Sequence, residues 1–321
     1  MTRIAMAILL AVCALVGHVS AQSFPDRPIT LINPYAAGGP ADLLARTVAD
    51  GMTEVLGRPV VVENRAGAGT AIGARAVAQA KPDGYTLFIG GSPSHVITPA
   101  LMKDANYDGI KDFTPVATVA DVPNVLVVPS DRRITSVKEL VAAAKGADGK
   151  MTFASIGVGS IPQFLGILLQ LRADMKLVEV PYRGAQPAVV DLLGGRVDMA
   201  FLNAPAVLSQ VHAGQLRALA VAASTRLRSL PDTLSMPEAG YPSVTMSTWY
   251  GISAPAGTPP AIVSRLHAAI AQTLGTPKTR EKIESQGAEI FLKSPQEYAA
   301  YLQADAKLML ELIKAANMTA Q

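Results

Sequence analysis

Two glycine-rich turns, each between an apolar stretch and a helical pattern, constrain this chain more than any other feature. The first is "NPYAAGGPADLLAR" at residues 33–46, which follows the apolar pair Leu31 and Ile32. The second is "SIGVGSIPQF" at residues 155–164, which follows a strand pattern at 151–154. A helix that begins directly after such a turn has unpaired backbone N–H groups at its N-terminus, and these attract an anion. Both turns therefore predict strand ends of an α/β fold at which a carboxylate can bind.

Strand and helix patterns alternate around both turns, which favours parallel sheets. One α/β unit extends over residues 29–89, and a second unit over residues 151–222 repeats the alternation. Two extended stretches, at 116–119 and 125–128, separate the units. The helices predicted after residue 259 are expected to return to the first unit, so that the chain crosses between the units twice. We therefore expect two domains, with domain 1 at 22–122 and 246–321 and domain 2 at 123–245.

The N-terminus has the pattern of a secretory signal peptide. Arg3 precedes an apolar run at residues 4–16, and Val19-Ser20-Ala21 offers small residues for cleavage before Gln22. The apolar run is too short to span a bilayer comfortably. We expect residues 1–21 to be removed and the mature protein to reside in the periplasm.

Cys13 is the only cysteine, and it lies within this N-terminal segment. A lipoprotein signal is the alternative interpretation, but Val12 is bulky and almost no apolar region precedes the cysteine. The predicted mature chain contains no cysteine, which excludes disulfides, thiol catalysis and cysteine metal sites.

Composition argues against nucleic-acid and metal binding. Half of the 321 residues are hydrophobic, 17% are charged and the net charge is only +3, with the basic residues scattered along the chain. No His-Glu-x-x-His or His/Asp cluster has metal-ligand spacing. The stretch "GAGTAIG" at 67–73 resembles a nucleotide-binding motif but lacks the glycine spacing of the dinucleotide fingerprint. The strand before it ends in Glu63, and the sequence has no Walker lysine, so a nucleotide site is not expected. We expect no cofactor.

Candidates for catalysis are few. His212 and His267 fall on predicted helices with polar neighbours, whereas His95 in "GGSPSHV" follows a strand end, from which it could reach a cleft. The same stretch lacks the G-x-S-x-G elbow, so Ser92 and Ser94 are better interpreted as hydrogen-bond donors than as nucleophiles. The sequence therefore predicts a binding protein rather than an enzyme.

Several other residues have two open interpretations. Arg183 in "VPYRG" could meet a ligand carboxylate or form a surface ion pair, and Asn203 could contact a ligand or cap the next helix. Trp249 and Tyr250 could line a site or fill a core at a domain crossing. Asp42, in the first helical turn after the first glycine-rich turn, stabilises a helix dipole but repels phosphate, so a carboxylate ligand fits better.

Six stretches carry a resemblance to a known family: "FPDRPITLINPYAAGGPADLLAR", "VVVENRAGAGTAIGA", "KPDGYTLFIGG", "FASIGVGSIP", "VPYRGAQPAVVDLLGGRVDMAF" and "LRALAVAASTRLRSLPDTLSMPEAGYP". Together they resemble the Bug-type receptors, the periplasmic substrate-binding proteins of tripartite tricarboxylate transporters, over essentially the whole mature chain. The resemblance implies a two-domain periplasmic-binding-protein fold of type II (Venus flytrap), each domain having a mostly parallel sheet flanked by helices. It also implies a monomer that binds an organic carboxylate, aromatic or dicarboxylic acids included, in the interdomain cleft and delivers it to membrane subunits.

The resemblance also implies which residues contact the ligand. They come from the two glycine-rich loops and from three further strand ends: Tyr35, Ala36, Ala37, Gly38, Gly39, Asp42, Ser92, Ser155, Gly157, Gly159, Ser160, Arg183 and Asn203.

Two positions depart from the family pattern. Leu202 stands where the family has an acid in F-D-N, and Gln163 stands where histidine is frequent. Because an ammonium group would lose an anionic partner at Leu202, we expect a carboxylate without an amine. The alternatives are an enzyme on a similar scaffold and a carboxylate sensor that passes ligand status to a signalling partner.

Overall fold

The computed structural model describes residues 24–157, 159–285, 287–316 and 318, so the predicted signal peptide at 1–21 lies outside the described residues. The strands are β1 (Ile29–Asn33), β2 (Val60–Asn64), β3 (Thr86–Gly90), β4 (Phe113–Pro129), β5 (Thr152–Ser155), β6 (Val178–Pro181), β7 (Met199–Asn203), β8 (Leu216–Val221), β9 (Ser247–Pro255) and β10 (Glu289–Ile290). The helices are α1 (Pro40–Leu56), α2 (Ala71–Ala78), α3 (Thr98–Leu101), α4 (Val137–Gly146), α5 (Ile161–Ala173), α6 (Ala185–Leu193), α7 (Ala204–His212), α8 (Pro260–Gly275), α9 (Pro277–Glu284) and α10 (Pro295–Ala315). None of the helices in the described ranges is both long enough and apolar enough to cross a membrane.

One mixed sheet organises the fold, in the order β2-β1-β3-β9-β4-β7-β5-β6, with β8 and β10 each paired to β4. At its two ends the pairing is parallel, between β1 and both β2 and β3, and between β5 and both β6 and β7. Every pairing of β4 and β9 is antiparallel. The predicted α/β class is confirmed, and the expected parallel strands flank an antiparallel centre.

Strand β4 connects the two ends of the sheet. Residues 113–123 pair with β9, whereas residues 124–129 pair with β7 and β8. We call β1, β2, β3, β9, β10 and residues 113–123 the first sheet half, and β5, β6, β7, β8 and residues 124–129 the second sheet half. The two extended stretches expected at 116–119 and 125–128 are therefore parts of one strand. Its register with β9 shifts between Pro115 and Ala117, and an irregularity of this kind tolerates a proline, which has no N–H to donate.

Helices cover both faces of this sheet. On the first sheet half, Leu44 and Val48 of α1 and Leu266 of α8 share a buried apolar cluster with β1, β3 and β9. The buried side chains of helix α10 belong to one apolar cluster that also contains Trp249 of β9 and Phe153 of β5. Helix α10 therefore contributes to a core that extends over both sheet halves.

Candidate functional site

A cavity of about 380 Å³ lies between the two sheet halves. We call it the apolar cavity, because aliphatic and aromatic side chains form most of its wall. The first sheet half and its helices contribute Pro40, Leu44, Val122, Tyr250 and Ala288, and the second contributes Ala185, Gln186, Asn203, Pro205 and Ala206. The carboxyl-terminal ends of β6 and β7 lead directly into it, which is where open α/β sheets bind ligands.

Three helix N-termini meet at the apolar cavity. Helix α1 begins at Pro40, α6 at Ala185 and α7 at Ala204, and no side chain caps any of the three. Helices α4, α5, α9 and α10 each have a serine or threonine whose side chain accepts a hydrogen bond from an N–H of the first turn, whereas α2, α3 and α8 lack such a cap. Uncapped first-turn N–H groups and the positive end of the helix dipole favour an anion, so this cavity suits a carboxylate.

Asn203 and Arg183 add polar groups near the same helix ends. Asn203 occupies the N-cap position of α7 without capping it, and its Nδ2 donates instead to Thr248 Oγ1 at 3.0 Å and to the Val122 carbonyl at 3.5 Å. Its side chain thereby connects β7 with β4 and β9. Arg183 is exposed, lies next to the α6 N-cap Gly184, and has no carboxylate at ion-pair distance among the described residues.

A second cavity, of about 410 Å³, lies between the two glycine-rich loops. We call it the loop cavity. Its lining brings Tyr35 and Ala36 of the first loop together with Gly159 and Ser160 of the second. The full set of lining residues is Pro34, Tyr35, Ala36, Ala66, Gly67, Gly69, Thr70, Pro93, Ile97, Thr98, Gly159 and Ser160. Tyr35 also packs edge-on against Tyr250, with ring centroids 6.3 Å apart, so its side chain lies between the two cavities.

Asp42 shapes the first loop from inside the protein. Its buried carboxylate accepts bonds from the Gly38 N–H at 2.9 Å, from Arg46 Nε at 3.1 Å and from Asn64 Nδ2 at 2.8 Å. Burial alone would raise the pKa of Asp42, but the bonds from Arg46, Gly38 and Asn64 outweigh it and lower the pKa to about 2. Asp42 therefore positions the exposed residues Ala36, Ala37 and Gly38 rather than facing the cavity itself.

The second loop satisfies most of its own polar groups. Ser160 caps α5 and donates its hydroxyl to the Gly157 carbonyl at 2.7 Å, while the Gly159 N–H donates to Gln163 Oε1 at 2.8 Å. Ser155 is buried and donates to Glu179, which also accepts from Gln163 Nε2. Ser155 and Gly157 line neither cavity, and the loop offers fewer unpaired donors than its sequence suggests.

The model of the tripartite tricarboxylate transporter family receptor matches residues 44–318 of this chain. The chain belongs to this receptor family. Protein BugT of Bordetella pertussis is 38% identical over 305 residues, which are 94% of this chain and 94% of that protein. The family resemblance in the six sequence stretches is thereby confirmed.

Solved structures of similar proteins contain small acids. An R. palustris protein solved with adipate is 32% identical, covers 93% of this chain and 100% of its own, and superposes with a TM-score of 0.78. MatC from Rhodopseudomonas palustris, with bound malate, is 31% identical, covers 90% of this chain and 100% of its own, and has a TM-score of 0.74. Both similarities extend over both sheet halves of this receptor.

Ser92 and His95 do not reach either cavity of the receptor. Ser92 is 1% exposed and lies beside Asp305 of α10, whose carboxyl pKa burial raises to about 6. His95 does not use the possibility of reaching a cleft from its strand end, since the ring is buried among Phe88, Phe113 and Trp249. Burial lowers the pKa of His95 to about 4, even though its Nδ1 lies 2.7 Å from the Gly109 carbonyl.

Two stretches at the cavities were missed from the sequence. The segment 67–70 resembles a nucleotide motif in the sequence, yet its residues Gly67, Gly69 and Thr70 line the loop cavity. All four residues of the segment have positive φ, including Thr70 at 88°. The first turns of α6 and α7 contribute Ala185, Gln186 and Ala206, whose side chains give no chemical signal of their own. Only the glycine before α6 and the Asn-x-Pro before α7 indicate where these uncapped helices begin.

Proposed function

We propose that this receptor captures an organic carboxylate between the two sheet halves and delivers it to the membrane subunits of a tripartite tricarboxylate-type transporter. The observation that carries the proposal is the meeting of three uncapped helix N-termini at one apolar cavity. Such a site stabilises a carboxylate with backbone donors and accommodates its hydrocarbon part. Family membership and the malate and adipate in similar structures support the same class of ligand.

We further propose that residues 1–21 are a cleaved signal peptide and that domain 1 (22–122 and 246–321) and domain 2 (123–245) close on the ligand. The pairing of Pro123 with Ser247, next to the change of partner along β4 at Asn124, supports this proposal, because two adjacent crossings of the chain can act as a hinge. The ligand would then favour the closed state by contacting both sheet halves at once.

A thermal-shift panel tests the proposed function. The protein comprising residues 22–321 is unfolded, refolded to remove bound ligand, and heated with aliphatic, aromatic and amino-substituted carboxylic acids. An acid at a hundred times its Kd adds about 2.7 kcal/mol, which is a rise in Tm of roughly 4 °C for a chain of this size. If no acid of the panel raises the Tm, the receptor proposal fails; uptake of the selected acid by a deletion strain then tests the transport step.

A further inference from the structure

One polar side chain on the wall of the apolar cavity is buried and yet has no hydrogen-bond partner among the described residues. Resting on the proposed function, we propose that this residue, Tyr250, determines part of the receptor's specificity. Its hydroxyl donates a hydrogen bond to an oxygen of the bound acid. The cleft therefore prefers acids with a second oxygen-bearing group, a carboxyl or a hydroxyl, to the monocarboxylic acid with the same carbon skeleton.

Three of the described residues that line the apolar cavity have polar side chains: Gln186, Asn203 and Tyr250. The Asn203 amide already donates to Thr248 Oγ1 and to the Val122 carbonyl. Gln186 is exposed at the second position of α6, so water can satisfy its amide. Tyr250 is only 8% exposed. A bound acid therefore separates the Tyr250 hydroxyl from its remaining water and has to replace it as a partner.

Other tyrosine hydroxyls of the protein are bonded within the fold. Tyr85 donates to Asp26 Oδ1 at 2.5 Å, and Tyr107 donates to the Ser94 carbonyl at 2.7 Å. Both of these tyrosines are less buried than Tyr250. Because a buried tyrosine usually finds a partner for its hydroxyl, the exception at Tyr250 indicates that the partner comes from the ligand.

The position of the Tyr250 hydroxyl is fixed before a ligand arrives. The ring belongs to the buried apolar cluster of the first sheet half, together with the cavity residues Leu44, Val122 and Ala288. It also packs edge-on against Tyr35, with the ring centroids 6.3 Å apart. Its strand, β9, is paired on both sides, with β3 and with β4. A hydroxyl held on so rigid an element loses little freedom when it bonds a ligand.

The Tyr250 hydroxyl is also in the right charge state to donate. Burial raises the pKa of Tyr250 to about 12, so the group keeps its proton throughout the neutral range. Burial and the neighbouring Tyr250 raise the pKa of Tyr35 as well. Both hydroxyls are therefore neutral, and neither repels a carboxylate.

The same hydroxyl disfavours a ligand that lacks a second oxygen. A monocarboxylic acid whose carboxylate lies at the uncapped helix starts places hydrocarbon against the rest of the cavity wall. The Tyr250 hydroxyl then loses its water and gains nothing, and a buried polar group without a partner is costly. An acid with a second oxygen gains a bond at the same place. The preference therefore arises from both members of such a pair.

Calorimetry with two matched pairs of acids tests the role of Tyr250. Adipate and hexanoate share an unbranched chain of six carbons, and only adipate has a carboxyl group at both ends. Benzoate and 3-hydroxybenzoate differ by one hydroxyl. In each pair that binds, we expect the acid with the second oxygen to be at least about tenfold tighter. Tyr250→Phe, which keeps the ring, should reduce this ratio by about tenfold, with the monocarboxylic acid binding as tightly as before or more tightly.

An unchanged ratio in Tyr250→Phe, or an equal loss of affinity for both members of a pair, would overturn the role of Tyr250 and leave the receptor function intact. If neither these four acids nor any acid of the thermal-shift panel binds to the parent protein, the proposed function itself fails.

Tyr85→Phe is the matched control. It removes a hydroxyl that is bonded to Asp26 and that lines neither cavity, so it should lower the Tm and leave the ratio within about twofold. Tyr250→Phe removes a hydroxyl without a partner, so the Tm of the free protein should stay the same or rise. A clear fall in the Tm of Tyr250→Phe without ligand would show that the hydroxyl is bonded within the protein, which contradicts the proposal.

Discussion

Replacing Ala206 by aspartate is expected to weaken carboxylate binding by roughly a hundredfold. Ala206 lines the apolar cavity at the third position of α7, where the proposed ligand carboxylate and the new side chain would be close neighbours. Two like charges roughly 5 Å apart repel by about 3 kcal/mol at an effective dielectric constant near 20. The measurement is calorimetry with the acid that gives the largest thermal shift.

This substitution is suited to the test because it should not damage the fold. An acidic residue in the first turn interacts favourably with the helix dipole, so the Tm of the free protein should stay the same or rise. Ala206→Asn has nearly the same size without the charge, and we expect it to change the affinity by less than about fivefold. Binding by Ala206→Asp as tight as by the parent protein would place the carboxylate away from α7.

The second large effect is expected from Asp42→Ala, which should destabilise the protein by about 2–4 kcal/mol. The substitution removes the acceptor of three hydrogen bonds. It leaves the Gly38 N–H without this partner and removes one of the two acceptors of Asn64 Nδ2, which also donates to the Tyr35 carbonyl. A loss of this size lowers the Tm by roughly 3–6 °C for a chain of this length. Because the first loop depends on the same bonds, ligand affinity should fall as well.

The matched control for Asp42 is its own ion-pair partner. Arg46 is 49% exposed, and its 3.1 Å contact with Asp42 resembles a surface ion pair, so Arg46→Gln should cost no more than about 1 kcal/mol. Equal losses in Asp42→Ala and Arg46→Gln would show that the ion pair, and not the bonds to Gly38 and Asn64, holds the loop.

The effect of Asp42 should also depend on pH. Its pKa is lowered to about 2 in the folded protein, below the ordinary value of 3.8 that it regains on unfolding. The Asp42 carboxyl group therefore binds a proton less tightly in the folded protein than in the unfolded protein. The stability contributed by its negative charge is complete above about pH 4 and is lost as the pH falls through 2. The stability difference between the parent and Asp42→Ala, measured by denaturant unfolding, should be constant from pH 5 to 8 and shrink below pH 4.

Local sequence signals predicted the elements that depend on local interactions. Helix α1 begins at Pro40, α6 at Ala185 and α7 at Ala204, and a proline or glycine at the start with apolar spacing within the helix is enough to indicate each one. The sequence predicts two separate extended stretches in place of strand β4, because Pro115, Asp121 and Pro123 are residue types that usually interrupt a strand. Only its pairing with distant strands, β9 on one side and β7 on the other, makes it continuous.

The site also combines features with a local sequence signal and features that depend on distant parts of the chain. The first glycine-rich loop could be located from Gly38 and Gly39, and the Asp42–Arg46 spacing is visible on a helix, but the bond from Asn64 depends on the parallel pairing of β1 with β2. Ser92 follows a strand end, from which its side chain could face either a cleft or the interior, and α10 covers it. The meeting of α1, α6 and α7 at one cavity involves backbone groups of residues far apart in the chain, so no motif could indicate it.

Hydrogen–deuterium exchange with and without the selected acid tests the central proposal most directly. We expect the ligand to slow exchange in the first turns of α1, α6 and α7 together, since their uncapped N–H groups lie at the apolar cavity in both sheet halves. The first turn of α4, which Ser136 already caps, is the internal control and should not change. Protection confined to one sheet half, or absent from all three helix starts, would contradict capture of the carboxylate between the two halves.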